Sequence, residues 1–200
     1  MFAKSLSAAI AMTVALGASA APLVNGNFEA GLAGWNASGN VDTANTSGGS
    51  YFGAGSPAQT GNFAIAFNGR NSQPNGILSQ SFATKAGASY RVSFDFGTTG
   101  CAAPCAQSLF VSALGDDELS ELASITATGT AGEMLAAFNF TFTAIDAFTS
   151  LRFADVATNN TVSLDGVLDN VNVVAEVPEP ASLALLGLGL AGIAARRRRK

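Results

Sequence analysis

The chain has 200 residues and no histidine, and its net charge of −4 hides an asymmetry, because six of its ten Lys and Arg residues lie in the two ends. Residues 21–175 carry four basic residues (Arg70, Lys85, Arg91, Arg152) against twelve acidic ones, a net of −8, which repels phosphate backbones and speaks against nucleic acid as a partner. The missing histidine removes Ser-His-Asp and Cys-His nucleophilic machinery and the usual zinc sites.

The N-terminus reads as a secretion signal. Lys4 supplies the positive start, Leu6 to Leu16 is apolar but short for a bilayer, and Ala18-Ser19-Ala20 gives a small-x-small cleavage pattern. A signal helix over 1–20, cut between Ala20 and Ala21, is expected; the alternative is an uncleaved anchor.

Residues 21–175 are expected to form one domain, a length that buries an ordinary core without staples. Asn25-Gly26 is the first turn signal. Residues 36–61 are rich in Gly, Ser, Asn and Thr and predict long loops joined by a short edge strand. Strand signals follow with a period of two: Phe63, Ile65 and Phe67; Leu78, Gln80 and Phe82; Tyr90, Val92, Phe94 and Phe96; Phe138, Phe140 and Phe142; Leu151 and Phe153; Val171 and Val173. Asn68-Gly69, Asn75-Gly76, Gly115-Asp116-Asp117 and Asp165-Gly166 punctuate them as turns. Between Asp117 and Ile125, Leu119, Leu122 and Ile125 fit either a helical turn or two, or a twisted edge strand. Many short strands without long helical periods predict a β-sandwich or barrel, with most of the fourteen Phe filling the space between two sheets. Cys101 and Cys105 are expected to pair outside the cytoplasm and to pin a turn.

The C-terminal end runs Val177-Pro178-Glu179-Pro180, then an apolar stretch from Ala181 to Ala195, then Arg196, Arg197, Arg198, Arg199 and Lys200. As a helix the stretch covers roughly 22 Å, short for a bilayer core of about 30 Å. The basic cluster acts as a cytoplasmic stop. This order of elements resembles the PEP-CTERM sorting signal. The resemblance implies processing by an exosortase, passage through the inner membrane of a Gram-negative bacterium with residues 181–195 transiently in the bilayer, and a final place at the cell surface, in the outer membrane or in the extracellular matrix. The alternative is a plain single-pass anchor. The expected organisation is therefore a signal peptide over 1–20, a β-domain over 21–175 and a sorting signal with a short transmembrane helix over 176–200.

Three segments of the middle resemble a galactose-binding-like jelly-roll superfamily of the choice-of-anchor type: Leu23 to Glu29 with Gly34-Trp35 as the opening strand, Gly61 to Phe67, Leu78 to Phe82, Gly87 and Tyr90 to Asp95 as central strands, and Leu168 to Val173 as the closing strand. The resemblance implies an all-β jelly-roll sandwich of two antiparallel sheets, and a family that includes carbohydrate-binding modules. It also implies a structural Ca²⁺ where the first and last strands meet, with Glu29 and Asp169 as ligands and Asp165 and Asn27 as helpers; hard oxygen donors suit that ion.

A polysaccharide would use aromatic faces and hydrogen-bonding loops. Trp35, Tyr51 and Phe52 are aromatic candidates; the position of Trp35 favours a strand-end core residue, while Tyr51 and Phe52 fit a platform and a packed residue alike. Arg70, Asn71, Gln73 and Asn75 form a polar loop that is either a binding loop or a solvated turn. No catalytic residue is assigned. The acids Asp116, Asp117 and Glu118 would serve a glycosidase only as a facing pair in a cleft. The expectation is a non-catalytic, exported carbohydrate-binding protein of the exopolysaccharide or biofilm. Its rival is a structural surface protein that binds other proteins or itself.

Overall fold

The computed structural model describes residues 23–45, 61–68, 75–99, 106–130, 135–156 and 165–176. Within them, ten strands form two antiparallel five-stranded sheets. In chain order they are β1 (Asn36–Ser38), β2 (Val41–Asn45), β3 (Phe63–Phe67), β4 (Ile77–Ala83), β5 (Ser89–Thr99), β6 (Ala106–Leu114), β7 (Glu121–Thr130), β8 (Ala136–Thr143), β9 (Phe148–Asp155) and β10 (Asp165–Glu176). The first sheet has the order β1-β4-β9-β6-β7 and the second β2-β3-β10-β5-β8. The two sheets face each other as the jelly-roll sandwich expected from the sequence.

Alternation sets which side of each strand is buried. Tyr90, Val92, Phe94 and Phe96 of β5 point inward while Arg91, Ser93 and Asp95 point outward. From the first sheet, Leu78, Phe82, Leu109, Val111, Leu151 and Phe153 meet them. Phe153 links the layers: its ring is edge-on to Phe94 of the second sheet at 5.3 Å and 88°, and 6.1 Å from Trp35.

Four local expectations change. Leu23–Glu29 is no opening strand but a series of turns, with Asn25 and Phe28 at φ of 52° and 53°. Asp165-Gly166 is not a turn; it starts β10, with Gly166 opposite both Phe67 and Thr98. Residues 36–45 supply two short edge strands, one to each sheet, rather than one. The ambiguous stretch at Asp117–Ile125 resolves into a turn followed by edge strand β7. Asp117 Oδ1 accepts the N–H groups of Leu119 and Ser120 (3.0 and 2.9 Å), and these hydrogen bonds, led by those from Ser120, hold its carboxyl below the usual range. The turn stops any helix before it starts.

The signal segment, Cys101, Cys105 and the tail from Val177 onward fall outside the described residues.

Candidate functional site

β10 carries the site because its edge changes partner midway. β3 pairs with β10 only from Gly166 to Leu168. Beyond that, β10 bulges between Asp169 and Asn172, and Asn170 takes a φ of 52°. The vacant edge is taken by the 23–29 turns, where the Val171 N–H donates to Gly26 O at 2.8 Å. Gly26 is required there, since a Cβ would run into the Val171 carbonyl. The same turns deliver Glu29, whose Oε1 accepts the N–H groups of Asn62 (2.7 Å) and Phe63 (3.0 Å) at the start of β3.

Asp169 lies at the centre of this junction and is fully buried. Its Oδ1 accepts the Asn170 N–H at 2.7 Å, and its Oδ2 is buried without a hydrogen-bond partner. Directly across the strand pair stands Asp95, which accepts Asn170 Nδ2 at 2.8 Å. Burial pushes the Asp169 carboxyl up to about 7, and the nearby charges of Asp95 and Glu29 push the same way, against the Asn170 N–H. A buried carboxylate with an orphaned oxygen and two carboxylate neighbours suits a hard cation. Among the described residues no three acidic side chains converge as a ready-made metal site, so carbonyls and water would have to complete a coordination shell.

Asp95 is the member that sequence reasoning missed; in β5 it looked like one more outward polar residue. Of the helpers, Asn27 is exposed in the turn beside Glu29, and Asp165 pairs with Thr99, four residues up β10, about 13 Å from Asp169 at strand rise.

Trp35 is corrected as a sugar platform. It is 7% exposed, packs at 5.3 Å on Phe28, and donates its Nε1–H to Asn25 O at 3.1 Å. It anchors the 23–35 turns to the core and offers no free face. Tyr51, Phe52, Arg70, Asn71 and Gln73 fall outside the described residues.

The outer faces of the two sheets differ. On the second sheet, Ala44, Ala64, Ala66 and Val167 are buried, with Leu135 packed into a small cluster with Ala64 and Val167. Further along, Arg91 is committed to Glu176, 2.8 Å away. The outer face of the first sheet is hydroxyl-rich; it is exposed along its edge strands β1 and β7, while at its centre Ser112, Leu114 and Ser150 are buried. Strand pairing aligns Asn36, Ser79, Arg152, Ser112 and Ser124 in one row across all five strands. The next row holds Ser38, Ile77, Ala154, Phe110 and Thr126. Arg152 sits mid-strand in β9, half-buried, and among the described residues no carboxylate pairs with it. Phe110 is partly buried on its diagonal.

By sequence, no curated protein matches the chain. Among solved structures, the chain is similar to TmCBM61 in complex with β-1,4-galactotriose (20% identity, TM-score 0.53, covering 77% of this chain and 97% of that one). It is similar to the CBM22-1 xylan-binding domain of Paenibacillus barcinonensis Xyn10C (14%, TM-score 0.51, 78% and 96%). It also resembles the Clostridium thermocellum xylanase 10B CBM22-1-GH10 modules complexed with xylohexaose (16%, TM-score 0.52, 78% of this chain and 29% of that one). At such identities the likeness establishes the fold and not the ligand. Residues 176–199 match the PEP-CTERM protein-sorting motif. The chain is thus a β-sandwich with the jelly-roll architecture of carbohydrate-binding modules, ending in a PEP-CTERM signal that marks it for export and exosortase processing.

Proposed function

We propose that the protein is a non-catalytic carbohydrate-binding module of the cell surface or extracellular matrix, and that its glycan lies along the outer face of the first sheet. The observation that carries this reading is Arg152, which no carboxylate among the described residues pairs with, on a hydroxyl-rich face beside Phe110. A guanidinium offers five donors in a fixed fork, hydroxyls donate and accept, and an aromatic ring gives a sugar an apolar surface. No carboxylate stands in the two central rows of that face. The neighbours whose printed names include xylan, xylohexaose and galactotriose support a plant-type or microbial β-glycan as ligand class, with the producing cell's own exopolysaccharide as the native form.

Catalysis is not part of this reading. Asp117 spends its carboxylate on its own turn, and its lowered pKa is the opposite of what a general acid needs.

Calcium belongs to the proposal as a structural ion. Glu29 and Asp169 would hold it, with Asp95 behind Asp169 adding negative charge. It would lock the 23–29 turns to β10 and perform no chemistry on the glycan.

Affinity electrophoresis of residues 21–176 through gels containing galactan, xylan or the cell's exopolysaccharide tests the glycan site. At least one gel is expected to retard the domain. Arg152→Ala is expected to weaken that binding about tenfold or more, the usual effect of losing a charge-assisted hydrogen bond. Phe110→Leu, which keeps the bulk but loses the ring, should weaken it less, and Arg91→Ala should not change it. Unchanged mobility of the wild type in every gel would favour the structural, protein-binding alternative.

A further inference from the structure

Chain length ties one end of the sandwich to the tail's apolar run. β10 stays in the second sheet down to Glu176, which stands opposite Ser89. Arg91 grips the Glu176 carboxylate through Nε (3.0 Å) and Nη2 (2.8 Å). Residues 177–180 alone separate this fixed strand end from the apolar run at Ala181. Fully extended, four residues reach about 14 Å. While the run lies in a bilayer, that end of the domain is held at the lipid surface.

Three loops share this end: 84–88 between β4 and β5, 115–120 between β6 and β7, and 144–147 between β8 and β9. They are bonded to one another. The Thr84 N–H donates to Ala147 O (2.8 Å), the Gly87 N–H to Ala144 O (2.8 Å), and the Asp116 N–H to Asp146 Oδ2 (3.3 Å). On this ordered tip or next to it, Leu119 is 85% exposed, Ile145 54%, Phe148 48% and Val174 47%. Only Val24 and Val156 are comparably exposed large apolar residues elsewhere among the described residues. Single exposed apolar side chains are ordinary; the grouping at the tethered end is what needs a cause. The loops also carry Asp116, Asp117, Glu118 and Asp146 against the single exposed base Lys85, a net negative charge that anionic headgroups would repel.

We propose that this end of the sandwich docks on a lipid surface of zwitterionic headgroups, with Leu119 and Ile145 entering the headgroup layer while the tail holds the chain. The proposal rests on residues 181–195 entering the bilayer, and it is independent of the glycan site. The exposed apolar area is too small to hold a free domain on lipid, so docking depends on the tether and its high local concentration. Loss of the tail then also releases the domain, and until then the outer face of the first sheet stays clear of the membrane.

Tryptophan quenching in the full chain tests this, with the protein reconstituted in phosphatidylcholine–phosphatidylethanolamine vesicles brominated near the headgroups. Trp35 is buried and gives a constant background. Leu119→Trp reports the loop, Thr128→Trp the opposite end of the exposed edge strand, and Leu188→Trp the apolar run. The added fluorescence of Leu119→Trp and Leu188→Trp is expected to fall by about half or more, as for groups 5–10 Å deep, and that of Thr128→Trp to stay. Replacing half the lipid with phosphatidylglycerol should reduce quenching at Leu119→Trp. Quenching at Leu188→Trp with none at Leu119→Trp overturns the docking and leaves the membrane reading intact. No quenching at either overturns both. Equal or stronger quenching at Leu119→Trp in anionic vesicles overturns the headgroup assignment.

Discussion

In chelator, the domain is expected to lose stability as pH rises from about 4 to about 7, and added calcium is expected to restore it at the upper end. The folded Asp169 carboxyl has its pKa pushed up to about 7, against 3.8 for an ordinary aspartate. Between those values the unfolded chain has released the proton and the folded chain still holds it, so each pH unit favours unfolding. At about 1.4 kcal/mol per unit the loss reaches a few kcal/mol, and it levels off above 7, where both states are ionised. The chain has no histidine to produce a competing slope in this window. A cation binds the ionised form and stabilises the fold by mass action. Thermal unfolding of residues 21–176 at pH 5 and pH 8, in chelator or in millimolar calcium, checks this. Calcium should raise Tm at pH 8 and do little at pH 5. Asp169→Asn should flatten the pH dependence in chelator and abolish the calcium response. A variant that still responds to calcium like the wild type would remove Asp169 from the site.

Phe153→Ala is expected to cost about 3–5 kcal/mol, the usual loss for emptying a buried phenylalanine site. The ring is fully buried where three parts of the fold meet: β9 in the first sheet, Phe94 in the second, and Trp35 at the end of the 23–35 turns. None of these can close the gap without abandoning another contact, so the cavity should persist. That is a large share of the roughly 5–15 kcal/mol that stabilises a domain. Phe148→Ala, on the same strand but 48% exposed, should cost under about 0.5 kcal/mol. Denaturant unfolding of both variants gives the comparison. Equal losses would mean that Phe153 does not bridge the sheets.

Where side chains alternate cleanly, the strands were legible in the sequence. β5 and β8 announce themselves because one face is aromatic and the other polar, and their pairing places Phe94 opposite Phe138 with stacked rings 5.6 Å apart. β6 escaped notice because its pattern is mixed: Gln107 points into the core while Phe110 and Leu114 stand on the outer face. β7 was ambiguous because Leu119, Leu122 and Ile125 have helical spacing, yet the Asp117 turn separates the first from the strand holding the others. At the acidic junction, Glu29 and Asp169 came from the family resemblance. Asp95 was invisible because its partner is 74 residues away and only strand register brings them together. Arg152 read as an ordinary polar position between Leu151 and Phe153. Its significance lies in having no acid among its cross-strand neighbours, a property of the sheet rather than of the segment.

The most direct test of the central claim is chemical-shift mapping of the isotope-labelled domain, residues 21–176, titrated with the oligosaccharide that retards it most strongly in the gels. Saturable shifts are expected on Asn36, Ser79, Phe110, Ser112, Ser124 and Arg152, with Ser93, Asn139 and Thr141 on the opposite sheet unmoved. Shifts confined to the second sheet, or spread over the surface without saturation, would contradict it.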